Sequence, residues 1–363
     1  MRIGIITFQR AYNYGAVLQA YALCRTINNI GYKCEVIDYH NPKFERNYRK
    51  ISILKCKTLR DFLSAILYGK IRNAKRKTFL DFVESEVGIS KNSYYSENIG
   101  EANSNYDIFV TGSDQVWNLN LTGNDWHFYL DFVNDEKKKI SYAASIVALS
   151  NDESKEAEIR KRLCSFDHIS LREKSGLKYV EKLGIADANL VIDPTLLVSR
   201  EKWVDLSKRY TVSVDLPEKY LLAYFVSPTK TNIDHVRSLA AEVHLPIVLI
   251  NYTHRKEENV INMTCVSPGQ FVYLFDRATM VVTNSFHGTA FSINLNKDFL
   301  YVLNTQVPEK NERILTLVQL LGLEDRDFAT ADLNNPINWS LVNERLGFLR
   351  DESIKKLMSY IES

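Results

Sequence analysis

The sequence predicts an α/β protein of two parallel-sheet domains, and three observations support this. Apolar runs alternate with helical patterns along most of the chain. The alternation falls into two series, and 363 residues exceed what one core usually fills. The first series contains the runs RIGIITF, KCEVIDY, YDIFVTG, KKISYAAS, HISLRE and NLVIDP, each short, bounded by polar residues and rich in β-branched or aromatic side chains. KYLLAYFV opens the second series, which continues through LPIVLIN and TMVVTNS, with helical stretches such as NIDHVRSLAAEVH between them. The break near YTVSVDLPEK divides the chain into a first Rossmann-like domain, residues 1–212, and a second, 213–336. Residues 337–363, including NWSLVNERLGFLRDESIKKLMSYI, read as a helical segment that packs back on the first domain. Two such sheets with their edges facing predict a central cleft, where a substrate would bind.

Composition removes several functional classes. Lys and Arg number 46 against 44 Asp and Glu, a net charge of +2, so no global field favours nucleic acid. Cys24, Cys34, Cys56, Cys164 and Cys265 show no CxxC or Cys/His ligand spacing, which fits reduced thiols in a cytoplasmic protein and predicts no bound metal. The opening run is too short for a signal-peptide core or a membrane span.

Residues 43–77 hold twelve Lys or Arg and two acids, and Leu59, Phe62, Leu63, Ile66, Leu67 and Ile71 recur at helical spacing. A basic amphipathic helix over 58–77 is expected. It either buries its apolar face in its own domain, with solvated lysines opposite, or lies peripherally on the anionic inner surface of a membrane.

The residues suited to chemistry stand where strands give way to helices. In MVVTNSFHGTAFSINL five of the seven residues from Met280 to Phe286 are apolar or β-branched, a buried strand, and Gly288 onward is helical. His287 therefore sits at a strand-to-helix turn, where free helix N–H groups favour anions. Asn284 and Ser285 can cap the helix and Gly288 permits close approach, so an anion beside the ring would favour the protonated imidazole of a general acid. Arg172 ends the strand of HISLRE, where it can grip a carboxylate or phosphate, or pair with Glu173 or Asp193. Asp114, after a strand and a glycine turn, is placed either to accept a hydroxyl proton or to cap a helix. Trp117 is a platform for a sugar ring or a core residue. Asn13, Tyr14 and Gly15 form a polar turn, with Gln19 one helical turn further on, and the stretch lacks the spacing of either nucleotide fingerprint.

Taken together, NYGAVLQAYAL, DIFVTGSDQVWN, SLREKSG, VIDPTLL, VSPGQFVYLFDRATMVVTNSFHGTAFS and NERILTLVQLLGLEDR resemble the polysaccharide pyruvyl transferase family, in order from about residue 3 to about residue 326. The resemblance implies a GT-B-like fold and transfer of the enolpyruvyl group of phosphoenolpyruvate to a sugar of a bacterial surface-polysaccharide precursor, as a pyruvate ketal. No further cofactor is implied. It makes His287 the acid, Arg172 a residue that holds the donor with Ser285, Asn284, Gly288 and Arg313, and Asp114 the residue that serves the acceptor. Asn13, Tyr14, Gly15, Gln19 and Trp117 are expected on the acceptor side, and the basic helix makes a lipid-linked acceptor the expectation. Many relatives read Arg-Leu-His where this chain reads Ser285-Phe286-His287. Arg313 or Lys310, or Ser285 with the helix amides, is then expected to meet the donor's charge. A GT-B glycosyltransferase using a nucleotide sugar and a non-catalytic sugar-binding protein are the alternatives on the same fold.

Overall fold

The computed structural model describes residues 1–48, 59–146, 153–251 and 256–363, with the side chains of residues 59–68 outside that set. Five parallel strands, β1 (Arg2–Ile6), β2 (Lys33–Tyr39), β3 (Ile89–Tyr94), β4 (Ile108–Thr111) and β5 (Lys138–Ser141), form the first sheet in the order β3-β2-β1-β4-β5. The short pair β6 (Ser170–Leu171) and β7 (Asn189–Leu190) joins its edge through bridges from Ile140 to His168 and from Ala144 to Leu171. In the second sheet β8 (Leu221–Tyr224), β9 (Ile247–Ile250), β10 (Ile261–Met263), β11 (Met280–Thr283) and β12 (Asp298–Tyr301) repeat that pattern as β10-β9-β8-β11-β12, again all parallel. The central strands β4, β8 and β11 are buried along their whole length, as continuous apolar runs in a sheet covered on both faces require.

The helices of the first half are α1 (Tyr14–Asn29), α2 (Pro42–Tyr48), α3 (Leu59–Phe82), α4 (Leu119–Thr122), α5 (Glu153–Leu163), α6 (Lys174–Lys182), α7 (Pro194–Leu197) and α8 (Arg200–Ser207). Those of the second are α9 (Lys230–Glu242), α10 (Pro268–Arg277), α11 (Phe286–Asn294), α12 (Glu312–Leu321) and the closing α13 (Trp339–Glu362). In both sheets the strand order reverses beside the first strand, between β1 and β4 and between β8 and β11. That reversal opens a crevice at the carboxyl ends of the strands. α1 springs from the first crevice and α11 from the second.

The two halves meet through α1. The Tyr14 ring stacks on Phe271 of α10 at 4.6 Å, and its hydroxyl donates to the Val266 carbonyl at 3.1 Å. α13 returns to the first half, where Tyr360 stacks on His168 at 4.5 Å and Lys138 donates to the Ile361 carbonyl at 3.2 Å. Of the basic helix, the side chains of Leu59, Phe62, Leu63, Ile66 and Leu67 lie outside the described residues. Further along, Phe79 and Phe82 are buried against Tyr14 and Tyr21 of α1, whereas Ile71 is exposed. The carboxyl-terminal part of α3 thus buries its apolar side within the chain.

Candidate active site

A cleft of about 450 Å³ opens between the halves at the carboxyl ends of β8, β11 and β12, with Asn13, Asp114 and Gln115 contributed by the first domain. His287 lines it from the first turn of α11. That helix starts there because Ser285, extended at φ −100°, accepts the Gly288 N–H at 3.3 Å, and no acidic side chain occupies the first turn. The remaining N–H groups of that turn and the positive end of the helix are available to an anion. Gly288 fits because a Cβ there would lie 2.2 Å from Thr283 Oγ1, so only glycine lets the helix sit this close to the strand end.

The imidazole rests on α1. A Cβ on Gly15 would come within 1.9 Å of His287 Nδ1. On its other side Nε2 stands 3.6 Å from Asp193 Oδ2 and makes no hydrogen bond, an orphaned buried nitrogen at the edge of a cleft. His287 is about 6% exposed yet lines the cavity, so it is held firmly without being sealed off.

Asp193 is the hub beneath it. Oδ1 accepts from the Thr195 N–H at 3.0 Å and the Thr195 hydroxyl at 2.7 Å, and Oδ2 accepts from Arg172 at 2.6 Å and Ser113 at 3.2 Å. Burial opposes its ionisation, but His287 and Arg172 outweigh burial and hold the carboxyl far below the usual carboxylate range. Arg172 spends its second terminal nitrogen on Asp114 at 2.8 Å, and its Nε is 3.8 Å from Glu173. Asp114 is likewise lowered, against its own burial, by Arg172, His287 and Arg313. Glu173, wholly buried, is pushed up by desolvation.

These partners correct two expectations. Arg172 does not reach the cleft: its side chain is fully buried, its guanidinium lies 4.7 Å from the ring of the lining residue Phe286, and carboxylates occupy both terminal nitrogens. A buried guanidinium needs such partners, and here the protein supplies them instead of a ligand. Asp114 does line the cleft, but a carboxylate paired with arginine and held below its usual range is a weak proton acceptor.

Charge facing the cavity comes from α12 and the turn before it. Arg313 is half-buried and lines the cleft, its buried Nε has no hydrogen-bond partner, and Lys310 stands one helical turn earlier. Burial and the facing Arg172 press the Arg313 pKa down and outweigh Asp114, Glu173 and Asp193, which pull it up. Asn284 lines the cleft while its side chain bonds both backbone groups of Val226, pinning the β8 turn to the β11 turn.

Of the expected acceptor-side residues, Asn13 lines the cleft and caps α1 by accepting the Ala16 N–H at 3.2 Å. The other four are placed elsewhere. Tyr14 is packed at the junction of the halves, and Gly15 seats the imidazole. Gln19 is fully buried, donating to Thr7 and accepting the Ser113 N–H, so it holds the loop that carries Asp114. Trp117 is about 1% exposed and stacked on Tyr129 at 5.5 Å, a core residue of the first domain because its ring faces are already covered. Sequence reasoning missed the hub role of Asp193 and the polar wall of Ser227, Thr229, Asn232 and His235 after β8. The signal was present: FVSPTKTN is a second strand-to-helix turn at the same sheet edge as the His287 turn.

Two facing parallel-sheet domains with this cleft between them define a GT-B-like fold. The chain belongs to the polysaccharide pyruvyl transferase family, whose model matches residues 13–306. No curated protein sequence matches it significantly. Among solved structures it is similar to the UDP-GlcNAc 2-epimerase of Methanocaldococcus jannaschii in complex with UDP-GlcNAc and UDP, with a TM-score of 0.51 and 10% identity over 100% of this chain and 99% of that one. The UDP-N-acetylglucosamine 2-epimerase of Rickettsia bellii gives 0.45 and 10% over 100% and 97%. The Neisseria meningitidis enzyme bound to UDP-GlcNAc gives 0.47 and 11% over 98% and 100%. At such identities the likeness is one of fold alone.

Proposed function

We propose that the cleft binds phosphoenolpyruvate and transfers its enolpyruvyl group to a sugar of a bacterial surface-polysaccharide precursor, forming a pyruvate ketal. The observation that carries this reading is His287 Nε2, a buried nitrogen without a hydrogen bond, fixed between Gly15 and Asp193 in a cleft that Arg313 and Lys310 also line. A vinyl phosphate stays inert until its methylene carbon takes a proton, so the reaction requires a positioned acid. Protonated His287 delivers that proton from Nε2, and ionised Asp193 steadies the cationic ring beforehand by charge.

The donor's carboxylate and phosphate fall to Arg313, Lys310 and the N–H groups at the start of α11. Once the methylene has become a methyl group, the central carbon is electrophilic and a sugar hydroxyl attacks it. The proton of that hydroxyl restores His287. A second hydroxyl then displaces phosphate, and its proton leaves with the phosphate, so the two hydroxyl protons balance the one gained by carbon and the one carried off. Asp114, ionised beside Arg172, orients the incoming hydroxyl by accepting its hydrogen bond. The acceptor is lipid-linked in this reading, and the Lys- and Arg-rich segment 43–77 is the part of the chain suited to approach an anionic membrane surface on the cytoplasmic side. Among the described residues no helix is long and apolar enough to cross a membrane.

The test combines purified protein, phosphoenolpyruvate and a precursor-glycolipid extract, and measures phosphate release together with the mass of an added pyruvate ketal. Both should appear with the native chain and fall about a hundredfold to ten-thousandfold with His287→Gln. Thermal stabilisation by a nucleotide sugar alone, with no phosphate released from phosphoenolpyruvate, would reject the proposal.

A further inference from the structure

A second cavity, also about 450 Å³, lies in the first domain at the carboxyl edge of the first sheet, the edge from which Asn13, Asp114 and Gln115 reach the cleft. Its lining comes from the residues that follow β2, from Ser96 after β3, and from the loop after β4. The polar groups on its walls are built in. Asn41, about 1% exposed, donates to the Thr122 carbonyl at 3.0 Å and to Asp125 at 2.7 Å. Asp125 also accepts from the Tyr39 hydroxyl at 2.6 Å and the His127 N–H at 3.0 Å, and His127 Nδ1 is 2.8 Å from Asp131. Half-buried Trp126, held between Arg162 at 4.1 Å and the Tyr129 ring at 5.3 Å but still lining the pocket, supplies an aromatic wall. Asp125 and Asp131 are thus engaged, and Lys43 donates to the Asn120 carbonyl. Arg46, exposed at the rim, has no ion-pair partner among the described residues.

An aromatic wall, a rigid polar lining held by its own hydrogen bonds, and one guanidinium without an ion-pair partner among the described residues fit a carbohydrate bearing a negative charge. The loop that builds the pocket also reaches the first cleft. Asp114 and Gln115 line the cleft, and residues 122–127 and Asp131 line the pocket. Thr111, at the end of β4, donates to the Phe128 carbonyl at 2.7 Å, and Tyr129 donates to the Trp117 carbonyl at 3.0 Å, so the loop is braced at both stages. We propose that this pocket binds an anionic saccharide, a second part of the acceptor held away from the bond being made, with its phosphate or carboxylate on Arg46 and a sugar face on Trp126. As part of the acceptor site it rests on the transferase reading, but the binding itself is measured without turnover.

Calorimetric titration of the full chain with N-acetylglucosamine 1-phosphate, glucuronic acid, N-acetylglucosamine and inorganic phosphate tests it. At least one of the two charged sugars should bind, and whichever does so identifies the anion as phosphate or carboxylate. Arg46→Glu, an exposed change that leaves the circular dichroism spectrum intact, should weaken that binding at least about tenfold, as expected for losing one charge-assisted contact. Trp126→Leu should weaken it too, while thermal stabilisation by phosphoenolpyruvate persists in both variants. Equal binding of the neutral sugar, binding of inorganic phosphate alone, no effect of Arg46→Glu, or no binding by either charged sugar overturns the proposal. Charged-sugar binding of this kind in a protein that releases no phosphate from phosphoenolpyruvate would sink the transferase reading and leave the saccharide pocket standing.

Discussion

Gly15→Ala probes the catalytic proposal without touching any group that donates or accepts a proton. The added methyl carbon would lie 1.9 Å from His287 Nδ1, 2.3 Å from Cγ and 2.5 Å from Cε1. Non-bonded atoms of this kind settle at about 3.5 Å, so the imidazole must retreat by roughly 1.5 Å or α1 must shift by as much. Misplacing a catalytic group by about 1 Å can cost about a hundredfold, which sets the expected fall in kcat. The cost in stability should be smaller, because overpacking by about 1–3 kcal/mol is partly offset by the better helix propensity of alanine, worth up to about 1 kcal/mol. The assay is phosphate release at saturating phosphoenolpyruvate and acceptor, paired with a thermal melt. A variant that melts within a few degrees of the native protein and keeps its full kcat would refute the idea that the ring position at Gly15 matters for chemistry.

Other outcomes follow from the buried cluster and from the histidines. Arg172→Met strands three carboxylates, Asp114, Asp193 and Glu173, and should cost about 3–5 kcal/mol in chemical denaturation, the scale for breaking a buried ion pair. Arg313→Gln should raise the KM for phosphoenolpyruvate with little change in the melt, because this arginine faces the cleft; a KM at the native value would remove it from the donor site. Burial tends to lower the pKa of His40 and of His127, but carboxylates outweigh it: Asp38 and Glu45 raise the first, Asp131 and Asp125 the second. Both should titrate above about 6.5 by NMR, and His168, lowered by burial, below it. A raised histidine stabilises the fold fully below its unfolded pKa and loses that contribution as pH rises through its folded pKa. His40→Asn should therefore flatten the fall in melting temperature above about pH 6.5.

Both sheets were legible because all-parallel strands are buried on two faces and read as short apolar runs; MVVT and IFVT are instances. The turn carrying His287 was legible for a related reason, since Ser285 and Gly288 are residue types that a tight strand-to-helix junction demands. Tertiary pairing was not. Arg172, Asp114 and Asp193 are separated by tens of residues, and only the fold decides that one guanidinium meets two carboxylates instead of a ligand. Trp117 and Gln19 misled because a residue type that suits a sugar or a hydroxyl also suits a core whose polar atoms must be paired: Trp117 Nε1 donates to the Phe128 carbonyl, and Gln19 bridges Thr7 and Ser113.

The placement of Arg172 also accounts for the departure at residue 285. A side chain at that position can cap α11 or carry a cation toward the cleft, and serine does the first: its oxygen takes the Gly288 N–H. An arginine there would forfeit the cap and would add a third guanidinium near Arg313, whose charge Arg172 already disfavours. With Ser285 the positive charge comes instead from α12, through Arg313, and from the turn before it, through Lys310, both on the cleft wall. Arg172 is then free to hold Asp193 and Asp114, and Asp193 in turn holds His287. In the proposed mechanism the cations thus divide into Arg172, which fixes the acid from beneath, and Arg313 and Lys310, which face the substrate. Placing there the arginine that the sequence resemblance led one to expect, Ser285→Arg, should therefore lower melting temperature by the loss of a cap worth about 1 kcal/mol and should not tighten phosphoenolpyruvate binding. Tighter binding with an unchanged melt would show that the charge at 285 had been missing and was not replaced from α12.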